Sequence, residues 1–234
     1  MNTAILTIDD IASKNTPAIV DFLKEKGIHP VFFAWGSNVE AYYEEAKYAL
    51  KNGMIIGNHS YSHPAFSTLT LEEGIREIEK CEDVLNRLYA DCGVERTCRP
   101  FRFPYGDKGG ANKEALQEYL RKNGFHKLDD RHLPYAWWKE NGLDKDIDTF
   151  WTFDFAEYRT HSEPDFTKES VWQRMHDENP ASGAVLFGEG QQHILLLHAH
   201  DETEKHIPDY YRLFIEHLLE NGVTFDAPAF LENA

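Results

Sequence analysis

The chain has 234 residues, of which 41% are hydrophobic and 27% charged, as is usual for a globular protein and unlike a disordered one. Its formal net charge is −16, which disfavours nucleic acid and anionic membrane surfaces as partners. A neutral small molecule or neutral polymer fits better, although acidity also serves solubility alone. We therefore expect neither nucleic-acid nor membrane partners, and the charge leaves the oligomeric state unknown.

The beginning of the chain, Met1-Asn2-Thr3, has neither the basic segment nor the apolar segment of a secretory leader. We expect a cytoplasmic protein, while a chain whose leader had been trimmed would look the same. The cysteines, Cys81, Cys92 and Cys98, are odd in number and have no C-x-x-C spacing. This pattern indicates neither a disulfide framework nor a thiolate metal site.

Short apolar runs alternate with helical patterns along the whole chain. The first half predicts strands at residues 4–8, 31–33 and 54–56, and helices at 17–26, 42–50 and from 71 onwards. The second half predicts strands at 101–103, 150–153, 194–197 and 223–225, and helices at about 113–122, 168–177 and 208–221. Alternating units with fully apolar strands predict an α/β fold with a parallel sheet, open or closed into a barrel. Since no linker or repeat divides the chain, we expect one domain over residues 1–234.

An aromatic stretch at residues 133–138 is the hardest part to interpret. It either lines a substrate site or forms a small core of its own, and we favour packing because aromatic clusters are more often packed.

Two histidines, His59 and His63, follow the predicted strand at residues 54–56. On a helical turn, positions four apart share a face, so both rings could reach one metal ion. The spacing alone is weak support, because a chain with 12 histidines readily contains such a pair by chance.

Other polar residues follow the predicted strands, where active-site groups lie in parallel α/β architectures. Asp9 and Asp10 come after the first strand, Arg102 lies in the run at 101–103, and His198 follows the run at 194–197. One carboxylate and two imidazoles, with a fourth position left to water, make the arrangement of a catalytic zinc. Two adjacent carboxylates repel unless a cation separates their roles, so one would bind metal and the other would remain a free base.

At these residues the chain resembles the polysaccharide deacetylase family, which is carbohydrate esterase family 4 with its NodB-homology domain. Each motif is weak singly, but five in the family's order are specific. They are Thr7-Ile8-Asp9-Asp10, the segment His59 to His63, the segment Phe101 to Gly106, the segment from Trp151 to Glu157-Tyr158, and Leu196-Leu197-His198.

The resemblance implies a distorted (β/α) barrel of about seven parallel strands. It also implies that Asp10, His59 and His63 bind a divalent metal, zinc first, with cobalt or nickel as alternatives. Asp9 would be the general base that deprotonates the metal-bound water, and Arg102 would pair with Asp9 and keep it ionised.

The remaining implied roles concern the leaving group and the acetyl pocket. His198 would protonate the leaving amine, with Glu157 orienting its ring or tuning its pKa. The backbone N–H of Tyr105 would hold the developing oxyanion together with the metal. Trp151 and Leu196 would line the pocket that receives the acetyl methyl group.

The chain departs from the family's pattern around the proposed acid. Glu157 and Tyr158 stand where the family usually has Asp and Trp, and Ala199 follows His198 where Asp is common. His200 is a competing candidate for the acid, although we prefer His198.

The function that the resemblance implies is removal of N-acetyl groups from N-acetylglucosamine-containing oligo- or polysaccharide. One alternative applies the same machinery to O-acetyl xylan, an N-formyl sugar or a small amide, as in allantoinase-like relatives. Another is a non-catalytic sugar-binding relative, but pure binding would need neither Asp9 nor His198. We therefore expect an enzyme that acts on carbohydrate.

Overall fold

Six parallel strands form the sheet in the computed structural model, which describes residues 2–231. Every recorded strand pair in this part of the chain is parallel, so the predicted α/β class is confirmed. The strands are β1 (Asn2–Ile11), β2 (Val31–Ala34), β3 (Ile55–Asn58), β4 (Phe153–Asp154), β5 (Gln192–His198) and β6 (Val223–Phe225).

Helices follow most strands. Four of the helices are short, and the periodicity of the sequence did not predict them. A helix of one or two turns is too short to show the 3.6-residue pattern. Within residues 2–231, none of the helices is both long and apolar enough to cross a membrane. The helices are α1 (Thr16–Lys26), α2 (Gly36–Ala41), α3 (Tyr43–Lys51), α4 (Leu71–Cys92), α5 (Lys113–Lys122), α6 (Ala136–Glu140), α7 (Arg159–Ser162), α8 (Lys168–Met175), α9 (Asp201–His206) and α10 (Tyr210–Glu220).

Strand β1 lies at the centre of the sheet, whose order is β3-β2-β1-β5-β4. It pairs with β5 along one edge, from Thr3 to Asp9. Two strands pair with the other edge of β1: β6 pairs with the beginning of β1, and β2 pairs with its end. Helices cover the sheet, which is why the central strands read as continuous apolar runs.

The ring of strands closes through irregular backbone where the sequence predicted two regular strands. The predicted strand at 101–103 is reduced to one parallel bridge between Asn58 and Phe101, since the flanking prolines at 100 and 104 cannot donate to a ladder. The Thr149 N–H donates to the Phe101 carbonyl at 2.8 Å, and the Thr152 N–H donates to the Ile194 carbonyl of β5 at 2.8 Å. The barrel is therefore distorted and has six regular strands in its described part, which agrees roughly with the expected seven.

The aromatic stretch at 133–138 packs as a small core against the sheet. Leu133 and Trp138 are buried with Leu143, and they pack against Phe33 of β2 and Ile194 of β5. The Trp138 indole N–H donates to an Asp130 carboxylate oxygen at 2.8 Å. The packing interpretation of this stretch is confirmed.

Candidate active site

The carboxyl ends of β1, β3 and β5 open onto one cleft of about 580 Å³. Arg102 and Glu157 lie behind its wall, where both are fully buried. Most predicted site residues line the cleft, and they are Asp9, Asp10, His59, His63, Tyr105, Trp151, Leu196 and His198.

A β-bulge at the end of β1 lets two adjacent carboxylates reach the same cleft. Asp9 pairs with Phe33 and Ile11 with Ala34, so Asp10 is an extra residue in β1. Its φ of 66° is left-handed. Successive side chains of a regular strand point to opposite faces, whereas a bulge re-aims the inserted one. The bulge thus brings both Asp9 and Asp10 into the site.

Asp10, His59 and His63 have the geometry of a metal-binding group. The Oδ1 atom of Asp10 lies 3.6 Å from Nε2 of His59 and 3.5 Å from Nε2 of His63, and all three ligand atoms lie within 4.8 Å of one another. Zinc bonds of about 2.0–2.2 Å in tetrahedral geometry place neighbouring ligands about 3.3–3.6 Å apart. One carboxylate oxygen and two imidazole nitrogens at this spacing fit a divalent metal such as zinc.

The two imidazoles are held neutral, as metal ligands must be. Burial lowers the pKa of His59 to about 4 and the pKa of His63 to about 3. The Nδ1 atom of His59 lies 2.8 Å from the carbonyl oxygen of Arg102. A proton on Nδ1 that is donated to this carbonyl leaves the Nε2 lone pair free for a metal.

The segment from His59 to His63 is a loop, so the expected helical turn was wrong. Ser60 and His63 have left-handed φ values of 65° and 59°, which no α-helix contains. The Asn58 side-chain oxygen accepts the Ser60 N–H at 2.8 Å, and the Ser60 hydroxyl oxygen accepts the His63 N–H at 3.1 Å. Side-chain hydrogen bonds within the loop, and not helical periodicity, therefore bring the two rings together.

Asp9 forms a buried ion pair with Arg102. The guanidinium Nη1 donates to Oδ1 of Asp9 at 2.7 Å and to the hydroxyl of Thr7 at 2.8 Å. Burial raises the pKa of Asp9, and the opposite charge of Arg102 offsets this only in part. The pairing with Arg102 favours the ionised carboxylate of Asp9 against this effect of burial. The other oxygen of Asp9, Oδ2, lies 3.4 Å from Nε2 of His59 and faces the metal-binding group.

His198 is held by Glu157 on the other side of the cleft. One oxygen of Glu157 accepts the His198 backbone N–H at 2.6 Å and lies 3.2 Å from Nδ1 of the ring. Burial acts to lower the pKa of His198, but the carboxylates of Glu157, Asp154 and Asp10 together outweigh it and raise this pKa to about 10, with Glu157 contributing most. Tyr158 packs edge-on against the same ring at a centroid distance of 4.7 Å. The carboxylates around His198 therefore favour the protonated, cationic form of its ring.

Tyr105, Trp151 and Leu196 lie at the mouth and wall of the cleft. Tyr105 is 69% exposed and has a left-handed φ of 59°. A strained residue of this kind is common at functional sites. The Trp151 ring packs on the backbone at Gly106, where an added Cβ would lie 2.8 Å from it. Only a glycine at 106 allows this close approach.

Two residues contact Asp10 in a way that sequence reasoning did not predict. The Trp35 indole N–H donates to Oδ1 of Asp10 at 2.5 Å, and its ring stacks on His63 at 4.4 Å. Trp35 directly follows β2, so the strand-end rule would have found it if aromatic residues had been included. His200 was considered as an alternative acid, but its Nε2 lies 2.6 Å from Oδ2 of Asp10.

Comparison with known proteins identifies related sequences. The model of the family described as polysaccharide deacetylase matches residues 1–127. A peptidoglycan-N-acetylglucosamine deacetylase of Bacillus cereus is 38% identical over 105 residues, which cover 44% of this chain and 36% of that protein. Chitin deacetylase 1 of Cryptococcus neoformans is 39% identical over 102 residues, which cover 44% of this chain and 21% of that protein. These matches thus span about a third or less of each relative's length.

A solved structure shows that the fold is shared over nearly the whole chain. It is a crystal structure of a peptidoglycan N-acetylglucosamine deacetylase in complex with an N-hydroxybenzamide, and its TM-score is 0.67 at 21% sequence identity. The superposition covers 96% of this chain and 85% of the other. The resemblance inferred from the five motifs is confirmed.

Proposed function

The chain belongs to the polysaccharide deacetylase family, and on this basis we propose that it is a metal-dependent hydrolase. Its substrate is an N-acetylglucosamine-containing oligo- or polysaccharide, from which it removes N-acetyl groups. One observation carries the proposal: a buried carboxylate, a metal-binding group and a cationic imidazole surround one cleft. Those are the three parts that hydrolysis of an unreactive amide requires.

The metal would be held by Asp10, His59 and His63, whose donor atoms and spacing suit zinc, with cobalt or nickel as alternatives. Bound there, it supplies a Lewis acid that polarises the acetyl carbonyl and lowers the pKa of water to about 7. Two neutral imidazoles and one carboxylate leave a net positive charge on such a site, which favours the developing oxyanion.

Asp9 is the general base of the proposed reaction. Its Oδ1 is fixed by Arg102 and its Oδ2 faces the metal-binding group, so one oxygen is held while the other accepts a proton. That proton comes from the water whose oxygen bonds to the acetyl carbon. A pKa raised by burial makes Asp9 a stronger base than an exposed carboxylate.

His198 is the general acid. An amine leaves poorly unless it is protonated, so the C–N bond breaks as nitrogen takes the bond's electron pair and a proton from His198. Glu157 occupies Nδ1, which leaves Nε2 as the ring nitrogen available to the cleft. The backbone N–H of Tyr105 stabilises the oxyanion, and the products are acetate and a free amine.

The wall of the cleft suits an acetylated sugar. Trp151 and Leu196 offer apolar surface for the acetyl methyl group. The exposed ring of Tyr105 lies at the rim, where aromatic faces can stack on sugar rings. The named activities of the two relatives above, on peptidoglycan and on chitin, agree with a substrate that contains N-acetylglucosamine.

Mass spectrometry of acetate loss tests this function. The protein, stripped of metal and then supplied with zinc or cobalt, is incubated with chitooligosaccharides, acetylated xylan and small N-acyl compounds. We expect metal-dependent acetate release from the chitooligosaccharides. Release from acetylated xylan or small amides alone would reassign the substrate, and sugar binding without any release would make the protein a non-catalytic relative.

A variant of the base separates chemistry from binding in the same assay. Asp9→Asn keeps the size of the side chain but removes the proton acceptor, so acetate release should fall by about 10²- to 10⁴-fold. The partly exposed Asp129, which pairs with Arg131 outside the cleft, provides the matched control Asp129→Asn, which should leave the rate unchanged. An Asp9→Asn protein with the wild-type rate would refute the assignment of Asp9 as base.

A further inference from the structure

The ring of His200 is aimed at the carboxylate of Asp10. Its Nε2 lies 2.6 Å from Oδ2 of Asp10, although the two residues are 190 positions apart in the chain. His200 is only partly buried, whereas Asp10 is 4% exposed. The contact therefore links the inner carboxylate to a ring at the edge of the cleft.

Both oxygens of Asp10 have a hydrogen-bond donor. Trp35 donates to Oδ1 and His200 faces Oδ2. A carboxylate on a short side chain can rotate about its Cβ–Cγ bond, and rotation would turn Oδ1 away from His59 and His63. Donors on both oxygens fix the plane of the carboxylate in the orientation that points Oδ1 at the two imidazoles.

His161 contacts the outer ring nitrogen of His200. Nε2 of His161 lies 3.4 Å from Nδ1 of His200, so a proton donated from His161 to Nδ1 leaves the His200 proton on Nε2, opposite Asp10. The imidazolium form of His200 also carries a proton on Nε2. The bond to Asp10 thus exists in either protonation state.

We propose that His200 is a positioning residue of the metal centre, which fixes the carboxylate of Asp10 and strengthens metal binding, and that it is not the proton donor to the leaving amine. This inference rests on the proposed metal site of Asp10, His59 and His63. Removal of an outer partner of a metal ligand typically weakens metal binding by about 10- to 100-fold.

Zinc affinity is the direct test. The protein is stripped of metal, and its zinc dissociation constant is measured by competition with a chromophoric chelator. We expect one zinc per wild-type chain, about 10- to 100-fold weaker binding in His200→Ala, and a smaller loss in His200→Gln, whose amide keeps an N–H donor. The matched control is His206→Ala, because His206 is an exposed histidine near His161 and lines no part of the cleft.

Turnover distinguishes a positioning role from an acid role. With zinc at saturation, His200→Ala should recover kcat to within about tenfold of wild type, because a weakened site is then filled. His198→Ala should stay inactive at every zinc concentration. If His200→Ala binds zinc as tightly as wild type, or if saturating zinc fails to restore its kcat, the inference is wrong.

Two further results keep the outcome unambiguous. If circular dichroism shows that His200→Ala does not fold, the zinc dissociation constants of His200→Gln and His161→Phe test the inference instead. Wild-type dissociation constants in both variants would overturn it. A wild-type protein that binds no zinc would refute the proposed function itself. Zinc binding by wild type with no change in His200→Ala would refute only the role of His200.

Discussion

A single oxygen of Glu157 contacts His198 twice, at its backbone N–H (2.6 Å) and at Nδ1 of its ring (3.2 Å). The two contacts fix both the main chain at the end of β5 and the plane of the imidazole. They also place a buried negative charge beside the ring, which is the largest of the charges that raise its pKa. The proposed acid is therefore charged and oriented before any substrate arrives.

The pH dependence of activity should follow this ion pair. His198 acts in its protonated form, which is lost as pH rises through its pKa of about 10. We expect the alkaline limb of kcat/KM near that pH in wild type. In Glu157→Gln the opposing charge is gone while burial still lowers the pKa of His198, so the limb should move to lower pH.

Measured pH profiles of kcat/KM for the two proteins check this prediction. Glu163→Gln serves as the control, since Glu163 is an exposed carboxylate paired with Arg159 on the same stretch of chain. Its profile should match wild type. Superimposable profiles for wild type and Glu157→Gln would show that Glu157 does not tune the acid.

Arg102 should contribute strongly to stability. It has no solvent exposure and pairs with buried Asp9, and removal of one partner of a buried pair costs about 3–5 kcal/mol. Arg102→Leu should lower the free energy of unfolding by about that amount. Arg131→Leu, which removes an exposed pair with Asp129, should cost at most about 1 kcal/mol.

Urea denaturation of the two variants beside wild type measures both free energies. Equal losses of unfolding free energy in Arg102→Leu and Arg131→Leu would mean that the buried Arg102–Asp9 pair stabilises the fold no more than the Arg131–Asp129 pair. The m-values should agree with wild type, which shows that the change lies in the folded state.

Zinc should stabilise the folded protein through Asp10, His59 and His63. A ligand at 100 times its dissociation constant adds about 2.7 kcal/mol to the free energy of unfolding, so zinc should raise the Tm of metal-stripped wild type. His63→Ala should lose this rise, while His29→Ala, at an exposed histidine far from the cleft lining, should keep it. Thermal melts with and without zinc measure the effect, and an undiminished rise in His63→Ala would remove His63 from the metal site.

Buried His193 should make the protein sensitive to acid. Burial lowers its pKa to about 4, and its ring contacts the Leu186 carbonyl and the Thr152 hydroxyl. A depressed pKa stabilises the fold above the unfolded value of about 6.5, and this contribution is lost as pH falls towards 4. The full contribution is about 3 kcal/mol at 1.36 kcal/mol per pKa unit.

The check is the free energy of unfolding measured at several pH values between 7 and 4. Wild type should lose stability over this window more steeply than His193→Asn, whose amide does not titrate. The metal-free form is used for both proteins, so that zinc release from His59 and His63 does not contribute. Parallel curves would show that His193 titrates normally.

Part of this fold could be read from local pattern. Strands buried on both faces require continuous apolar runs, so the runs at 4–8, 31–33, 54–56 and 194–197 became β1, β2, β3 and β5. In the segment that closes the ring, residues 149–155, the apolar run predicted a regular strand at 150–153, but only Phe153–Asp154 forms one. The segment bonds to Phe101 at one end and to β5 at the other, and irregular backbone of this kind has no periodicity.

By itself, the sequence determined which residues follow the parallel strands, and hence that Asp9, His59 and His198 meet at one end of the sheet. Only the tertiary structure decided how they meet. Asp10 turns into the cleft because pairing of β1 with β2 leaves it as the extra residue of a bulge. The His59–His63 loop and the contact of His200 with Asp10 depend on side-chain hydrogen bonds. Sequence periodicity shows which face of a helix or strand is buried. Hydrogen bonds between irregular or distant segments do not alter this periodicity, so the sequence pattern could not predict them.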